Sequence, residues 1–214
     1  MGNLAPFAMP GRFLHEANMR ALPMLRALGA ELRRGFYSTD IPNVQFVDLT
    51  KGNDAPVDPG DFKGTLNLGN GLLASRQSPF HADGMNLTIV RWGTGPGQCG
   101  KITAHDSVVL SECHIVSYIE VRFGEHVLFG PGSVIIDCDG SPEDPEKPWG
   151  IDNMRMAPVV IEHDAWVGSN CIIMPGVTIG HHATISSGAV VTKDVPPHCL
   201  AVGNPAVIGA RFVE

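Results

Sequence analysis

Two serines in the C-terminal half of the sequence have the side chains and the spacing to bind one ligand together. Ser169 and Ser187 are 18 residues apart, and each lies beside a glycine, Gly168 and Gly188. A hydroxyl group donates and accepts hydrogen bonds, and a glycine lets a ligand approach the backbone closely because it has no Cβ atom. If the chain forms coils of that length, the two pairs lie on one corner and line a groove for a long, narrow ligand.

Histidines supply a second candidate chemistry, because imidazole titrates near neutral pH and serves both as a general base and as a zinc ligand. His163 and His181 are also 18 residues apart, so they are expected to stack on one corner. No third histidine shares their spacing, and histidines at such corners are commonly solvated turn residues. His105, His114 and His126 lie in less regular sequence, and none of these histidines is assigned a catalytic role.

The elements that must position these residues are six-residue blocks, which run from Ile161 to Pro196. Each block opens on an aliphatic residue: Ile161, Val167, Ile173, Ile179, Ile185 and Val191. Each fifth position is small or β-branched and apolar: Ala165, Cys171, Val177, Ala183, Ala189 and Val195. A helix repeats its apolar face about every 3.6 residues and a strand about every two, whereas a period of six is typical of parallel β-helices. The blocks therefore predict short strands with inward-pointing aliphatic residues, three to each triangular coil; a β-sandwich would space its turns about 8–12 residues apart.

The same period begins less regularly after residue 101 and is interrupted once. Ile115, Val121 and Val127 open three further blocks, but Val127 and Ile161 are 34 residues apart, which is not a multiple of six. The polar, proline-containing residues 137–158 are predicted to leave the β-helix as an excursion loop, because insertions in repeat proteins lie on one face, often the binding face. The predicted organisation is an N-terminal helical and irregular region with short strands (1–100), the β-helix (101–198), and a C-terminal cap over its open end (199–214).

The N-terminal region has one helical pattern. Apolar residues recur at helical spacing within residues 11–35; Gly35 is the predicted stop, and Pro23 is predicted to divide the segment into two helices. Residues 37–71 predict loops and short strands, and residues 87–92 predict a strand. The glycines that follow this strand do not form a phosphate-binding pattern.

Composition excludes several classes of function. The net charge of −7 argues against a nucleic-acid partner, which would need a basic surface. No apolar run is long enough for a membrane span, and the first residues do not resemble a secretory signal. The five cysteines are widely spaced and contain no CxxC pair, so we expect reduced, idle thiols and a cytoplasmic location.

Four segments within residues 102–210 carry a specific resemblance: VLFGPG followed by a DxDG loop, DAWVGSNCIIMPGVTIG, GAVVTKDVPP and VGNPAVI. In this order they resemble the hexapeptide-repeat acyltransferases, and among them the maltose and galactoside O-acetyltransferases and related acetyltransferases of polysaccharide biosynthesis. The first hundred residues do not match closely. The resemblance implies a mainly β fold, a left-handed parallel β-helix with a short N-terminal helical segment. It also implies a homotrimer with acetyl-coenzyme A, the acyl donor, between two subunits.

The resemblance also implies which residues bind the donor. Coenzyme A contacts are expected at Gly168, Ser169, Ser187, Gly188, Thr192 and Lys193, with Asn204 and Pro205 near the nucleotide. Lys193 suits a phosphate as a point positive charge. No metal is expected. The acceptor is expected to be a hydroxyl or amine of a sugar or nucleotide sugar, and the N-terminal hundred residues are expected to shape its pocket.

One position departs from the family pattern. The family's catalytic histidine lies in the excursion, in a DxDGHPxDP-like setting, and here Ser141 stands at that position, after Asp139 and Gly140. A serine hydroxyl cannot act as a general base at neutral pH, whereas histidine can. Three possibilities stay open: a catalytically impaired variant of an ordinary enzyme, an enzyme whose base lies elsewhere, and a coenzyme A-binding pseudoenzyme or scaffold. A zinc lyase of the γ-carbonic-anhydrase type shares the β-helix, but it needs three converging histidines.

Overall fold

Three parallel β-sheets form the faces of a triangular β-helix in the computed structural model, which describes residues 21–32, 42–51, 57–69, 73–75 and 85–212. From residue 66 to residue 191 the strands of the β-helix pass in turn through the three faces, which we call sheets A, C and B, and then return to sheet A. Within each sheet, parallel neighbours come from successive coils, so a strand inside a sheet lies between the strands one coil before it and one coil after it. The predicted fold class is confirmed: the protein is mainly β, a left-handed parallel β-helix with a short N-terminal helical segment.

The strands are short and are distributed almost evenly over the three sheets. Sheet A contains β1 (Glu31–Leu32), β3 (Leu66–Leu68), β6 (Ile102–Ala104), β9 (Val121–Phe123), β14 (Val159–Ile161) and β17 (Thr178–Ile179). Sheet B contains β2 (Asn43–Asp48), β5 (Asn86–Arg91), β8 (His114–Ser117), β11 (Val134–Ile136), β16 (Ile172–Ile173) and β19 (Val190–Val191). Sheet C contains β4 (Leu73–Ser75), β7 (Val109–Ser111), β10 (Leu128–Phe129), β15 (Trp166–Val167), β18 (Thr184–Ile185), β20 (Cys199–Val202) and β21 (Val207–Arg211).

The six-residue blocks generate the core in the way that their sequence predicts. Residues 18 positions apart are direct neighbours in the sheets, as in the pairs Ile161–Ile179, Val167–Ile185 and Ile173–Val191. All twelve residues at the first and fifth positions of the blocks are buried, none more than 3% exposed. Full burial of one aliphatic side chain contributes about 1.5–3 kcal/mol, so this inward column is a main source of the stability of the coils.

The β-helix begins earlier in the chain than the predicted boundary at residue 101. Strand β3 pairs in parallel with β6, β4 with β7, and β5 with β8. Leu66, Leu68, Leu87 and Ile89 are buried in the same core as the later repeats. The first strands are separated by connections of unequal length, which hide the period of six although the sheets are continuous.

The N-terminal helix ends sooner than its apolar pattern predicts. Residues 21–27 are helical on both sides of Pro23, and Leu32 lies in β1 instead of the helix. Gly29 has a φ of 78°, its N–H donates to the carbonyl of Arg26, and the N–H of Ala30 donates to the carbonyl of Leu25. This double hydrogen bond is a Schellman motif, which requires the left-handed conformation that glycine adopts most easily. Gly29 is therefore the stop; the predicted one, Gly35, and the helical pattern before residue 21 lie outside the described residues.

The excursion leaves the β-helix without interrupting it. Strand β9 pairs directly with β14, so Phe123 lies beside Ile161 although the excursion separates them in sequence. The excursion itself contains two antiparallel strands, β12 (Cys138–Pro142) and β13 (Met154–Met156), and a short 3₁₀ turn at Ile151–Asn153. It is an ordered hairpin, which the sequence predicted only as a loop.

The C-terminal segment extends sheet C. Strand β20 continues the parallel order, and β21 turns back antiparallel to β20 with every residue exposed. Within the described residues, no helix is long and apolar enough to cross a lipid bilayer.

All five cysteines are free, as the sequence predicts. Cys113 is buried, and burial raises the pKa of its thiol to about 12, so it stays protonated and unreactive at neutral pH.

Candidate functional site

The two serine–glycine pairs lie on one corner, between sheets C and B, and we call Gly168, Ser169, Ser187 and Gly188 the glycine–serine corner. The N–H of Ser169 donates to Oγ of Ser187 over 3.1 Å. The N–H of Gly188 donates to the carbonyl oxygen of Ser169 over 2.8 Å. The corner that was inferred from the 18-residue spacing is therefore present.

Packing between coils explains why a glycine is required at position 168. A Cβ atom at Gly168 would lie 2.7 Å from the backbone nitrogen of Ser187, closer than real contacts allow. Gly130, one coil earlier, is equally confined, because its Cβ would lie 2.6 Å from the carbonyl carbon of Gly168. Ser133 is fully buried beside them and donates from Oγ to the carbonyl of Gly168 over 2.9 Å. Gly130 and Ser133 were missed in the sequence, although VLFGPGS is in register with AWVGSN.

Thr192 and Lys193 lie on the next corner of the same coil, after β19. Both side chains are exposed. The carboxylate of Asp194 accepts a hydrogen bond of 2.7 Å from the N–H of Thr178 and so fixes the turn that carries them. Strand β19 separates this corner from the glycine–serine corner, so within one chain the structure does not bring Lys193 onto the corner that holds Ser187.

Asn204 and Pro205 lie in the exposed turn between β20 and β21. This turn sits over the end of β19. The N–H of Val190 donates to the carbonyl of Gly203 over 3.0 Å, and the N–H of Ala206 donates to the carbonyl of Val190 over 2.8 Å. The turn is therefore one coil above the glycine–serine corner and next to it.

Ser141 lies in β12 of the hairpin, with an exposed side chain. Its N–H donates to Oδ1 of Asp139 over 2.9 Å. The indole N–H of Trp149 donates to the carbonyl of Gly140 over 3.3 Å, while the Trp149 side chain is 73% exposed. The position at which the resemblance expects a histidine thus faces solvent on an ordered strand, next to a carboxylate and an exposed aromatic ring.

A buried carboxylate fixes the point at which the hairpin leaves the β-helix. Asp137 is fully buried and accepts hydrogen bonds from Oγ of Ser117 over 2.8 Å, from the N–H of Tyr118 over 2.7 Å and from the N–H of Ile119 over 2.9 Å. Burial raises the pKa of Asp137, and the hydrogen bonds partly oppose that rise. Both oxygens have partners, so Asp137 positions the start of the hairpin. The sequence showed it only as part of the DxDG motif.

Replacement of Asp137 by asparagine is expected to lower the free energy of unfolding by about 1–3 kcal/mol, because an amide NH₂ group would face a backbone N–H and leave buried donors without an acceptor. Urea unfolding followed by circular dichroism measures this loss. Asp139→Asn is the matched control: Asp139 is exposed and asparagine can still accept from Ser141, so a change within about 0.5 kcal/mol is expected. Equal losses in the two variants would contradict the anchoring role of Asp137.

The histidine pair of the sequence lies on the corner between sheets A and C. The rings of His163 and His181 are stacked with centroids 5.0 Å apart and an interplanar angle of 13°, which confirms the predicted stack. His182 and His198 join them, with ring centroids 5.0 Å from each other. Hydrogen bonds from histidine lower the pKa of the neighbouring carboxyl groups of Glu162 and Asp164. His182 and His198 could have been predicted, since they follow the same turn in consecutive coils.

The parallel coils are built from six-residue units of one strand and one turn, and comparisons with known proteins agree with this architecture. Residues 158–193 match the family model described as bacterial transferase hexapeptide (six repeats). The sequence is similar to two galactoside O-acetyltransferases. It is 35% identical to that of Lactococcus lactis subsp. lactis over 139 residues, which cover 64% of this chain and 59% of the relative. It is 38% identical to that of Escherichia coli K12 over 91 residues, which cover 42% of this chain and 44% of the relative. The matches thus span about half the length of these relatives, and they confirm the resemblance drawn from the sequence motifs.

Solved structures of acyltransferases share the fold. A hexapeptide-repeat-containing acetyltransferase from Vibrio cholerae, complexed with acetyl-coenzyme A, has a TM-score of 0.53 at 21% identity and aligns over 95% of this chain and 85% of its own. AntD, an N-acyltransferase from Bacillus cereus in complex with dTDP and 3-hydroxybutyryl-coenzyme A, has a TM-score of 0.61 at 13% identity over 89% and 88% of the two chains. At sequence identities of 21% and 13%, these structures show that the fold is shared.

Proposed function

We propose that this protein is an acyl-coenzyme A-dependent transferase that moves an acetyl group to a hydroxyl, or an amine, of a sugar-like acceptor. The observation that carries the proposal is the 35% identity to a galactoside O-acetyltransferase over 139 residues. The ligands in the two solved relatives, a coenzyme A thioester in both and dTDP in one, agree with this donor and with a sugar or nucleotide-sugar acceptor.

The glycine–serine corner supports a donor groove. The neighbouring coil occupies the space beside Gly168, so no ligand can approach there. The half-exposed Ser169 and the exposed Ser187 and Gly188 remain available to a ligand. A pantetheine arm that runs along the β-helix axis would meet these residues in succession. Asn204 and Pro205, one coil above, are placed to meet the nucleotide end.

A homotrimer would complete this groove. Thr192 and Lys193 lie on a different corner from Ser187, so a second subunit must present its own Thr192 and Lys193 for both sets to touch one ligand. The exposed Lys193 would then meet a phosphate as a point charge. Large exposed apolar side chains are available for such an interface: Trp166, Ile172, Val207, Ile208 and Phe212.

The proposed transfer is an addition and elimination at the thioester carbonyl, and it needs no metal. The acceptor oxygen attacks the carbonyl carbon, the C–S bond breaks, and the coenzyme A thiol leaves with the acetyl group now on the acceptor. Backbone N–H groups can stabilise the intermediate oxyanion, while the acceptor proton must go to a base. Ser141, at the position of the family's catalytic histidine, cannot accept that proton at neutral pH, so slow transfer is expected.

Calorimetric titration with acetyl-coenzyme A tests the donor site, followed by an assay of thiol release against a panel of sugars and nucleotide sugars. Replacement of Lys193 by alanine is expected to weaken acetyl-coenzyme A binding about tenfold or more, because a charge-assisted hydrogen bond to a phosphate is lost. Lys101→Ala is the matched control, because Lys101 is also an exposed lysine and lies just before β6, away from the proposed groove. Absence of binding to the unaltered protein would overturn the proposal, and binding without thiol release would favour a scaffold.

A further inference from the structure

Seven side chains with metal-binding groups converge on the corner between sheets A and C. They come from four successive coils, and we call them the histidine corner: His126, Glu162, His163, Asp164, His181, His182 and His198. The corner is far from sheet B, the opposite face of the triangular β-helix. It is also a different corner from the ones proposed to bind coenzyme A.

The backbone brings these side chains together by repetition. His126, Asp164, His182 and His198 all have a φ between 54° and 58°, so they occupy the same left-handed corner position in consecutive coils. The coils are linked there by backbone hydrogen bonds, with the N–H of His182 donating to the carbonyl of His163 over 3.2 Å. Strands in neighbouring coils are about 4.8 Å apart, so side chains on this column reach one another.

We infer that His163, Asp164 and His182 bind one divalent transition-metal ion of the zinc class. One ligand atom from each of the three residues can be chosen so that all lie within 4.8 Å of one another. A tetrahedral zinc site needs about 2.0–2.1 Å from metal to nitrogen or oxygen, which places its ligands roughly 3.3 Å apart. All three side chains are exposed, so small rotations can close this difference.

The type of ligand favours zinc, nickel or copper over calcium or magnesium, because imidazole nitrogen is a preferred donor for the first group and oxygen for the second. Nδ1 of His163 lies 2.9 Å from Oδ2 of Asp164, and Nδ1 of His126 lies 3.5 Å from Oδ1 of the same carboxylate. His126 is therefore close enough to serve as a fourth ligand in place of water.

The surroundings suit a bound ion. Nδ1 of His181 lies 3.1 Å from Oε2 of Glu162, and this contact holds the ring that stacks on the proposed ligand His163. An open groove of about 470 Å³, lined in part by Arg122, Glu125, His163 and His181, leads to the corner from solvent. The sequence predicted no metal because no third histidine shares the 18-residue spacing. The structure supplies the other ligands from the adjacent left-handed column.

The ion would clip two coils together at one corner, since His163 and Asp164 precede β15 and His182 precedes β18. Its role is to stabilise the stack and is separate from acyl transfer. Saturable binding of about one Zn²⁺ per chain is expected in calorimetry on protein without an affinity tag. At a hundred times the dissociation constant, Tm should rise by about 5–10 °C, and a chelator should reverse the rise.

Asp164→Asn and His182→Asn remove ligands, and asparagine tolerates the left-handed conformation of both positions. Each is expected to weaken Zn²⁺ binding at least about tenfold while the Tm without metal stays unchanged. His114→Gln on β8 of sheet B is the control and should bind Zn²⁺ normally. Co²⁺ in place of Zn²⁺ should give the d–d bands of a tetrahedral site without thiolate charge-transfer bands. Absence of saturable binding, equal binding by the ligand variants and the control, or a thiolate spectrum would each overturn the site.

Discussion

Replacement of Ser141 by histidine is expected to raise the rate of acetyl transfer by about 10²–10⁴-fold, the usual contribution of a positioned general base. Ser141 lies on an ordered strand of the hairpin and its side chain is exposed, so an imidazole fits there without disturbing the core. Thiol release with a responsive acceptor measures kcat and KM. The gain should appear in kcat, and the new rate should rise with pH through about 6.5, the ordinary pKa of histidine.

Two outcomes distinguish a lost base from a base that lies elsewhere. Ser141→Ala is the control, because it removes the hydroxyl without adding a proton acceptor, and it should leave any basal transfer unchanged. If Ser141→His transfers acetyl groups no faster than Ser141→Ala, the hairpin position is not where this protein needs a base. An unaltered protein that already transfers rapidly would lead to the same conclusion.

Replacement of Ile173 by alanine is expected to lower the free energy of unfolding by about 2–5 kcal/mol. Ile173 is fully buried in β16, and its backbone pairs with Ile135 and Val191 in the coils before and after it. Removal of its side chain leaves a cavity in the aliphatic column that these three coils share. Urea unfolding gives the loss from the shift in midpoint.

The adjacent isoleucine provides the control. Ile172 lies on the same strand, but its side chain points outward and is 39% exposed. In Ile172→Ala the loss should stay below about 1 kcal/mol, since little buried apolar surface disappears. Similar losses in the two variants would show that the alternation of the strand does not decide which side chains support the fold.

The regular repeats could be predicted from sequence because the first position of every block is an aliphatic residue that fills the core. Ile161, Val167 and Ile173 point inward on three different faces, and a period of six has no other common cause. The first coils could not be predicted in this way. Leu66 and Leu87 are buried in the same core, but the connections between their strands differ in length, so no fixed period marks them.

The parts of the site that depend only on the 18-residue spacing could be predicted from the sequence. Ser169 and Ser187 share a corner because they are one coil apart. Asp164 and His182 are also 18 residues apart, so the repeat places them in neighbouring coils, but His126 lies 38 residues before Asp164 and its proximity depends on how the excursion leaves the β-helix. The anchoring of Asp137 by Ser117, Tyr118 and Ile119 depends on the way the chain turns out of the coil at the start of the hairpin, which a repeat period does not encode.

The direct pairing of β9 with β14 has a consequence for how such a protein can change over time. Phe123 and Ile161 remain neighbours for any length or conformation of the segment between β11 and β14. The reason is that the hydrogen bonds of the sheet connect strands of successive coils, and these strands are not consecutive in the sequence. The hairpin is therefore a module whose length and composition can vary at little cost to the scaffold. The hairpin can then differ between related proteins while the column of aliphatic residues stays constant.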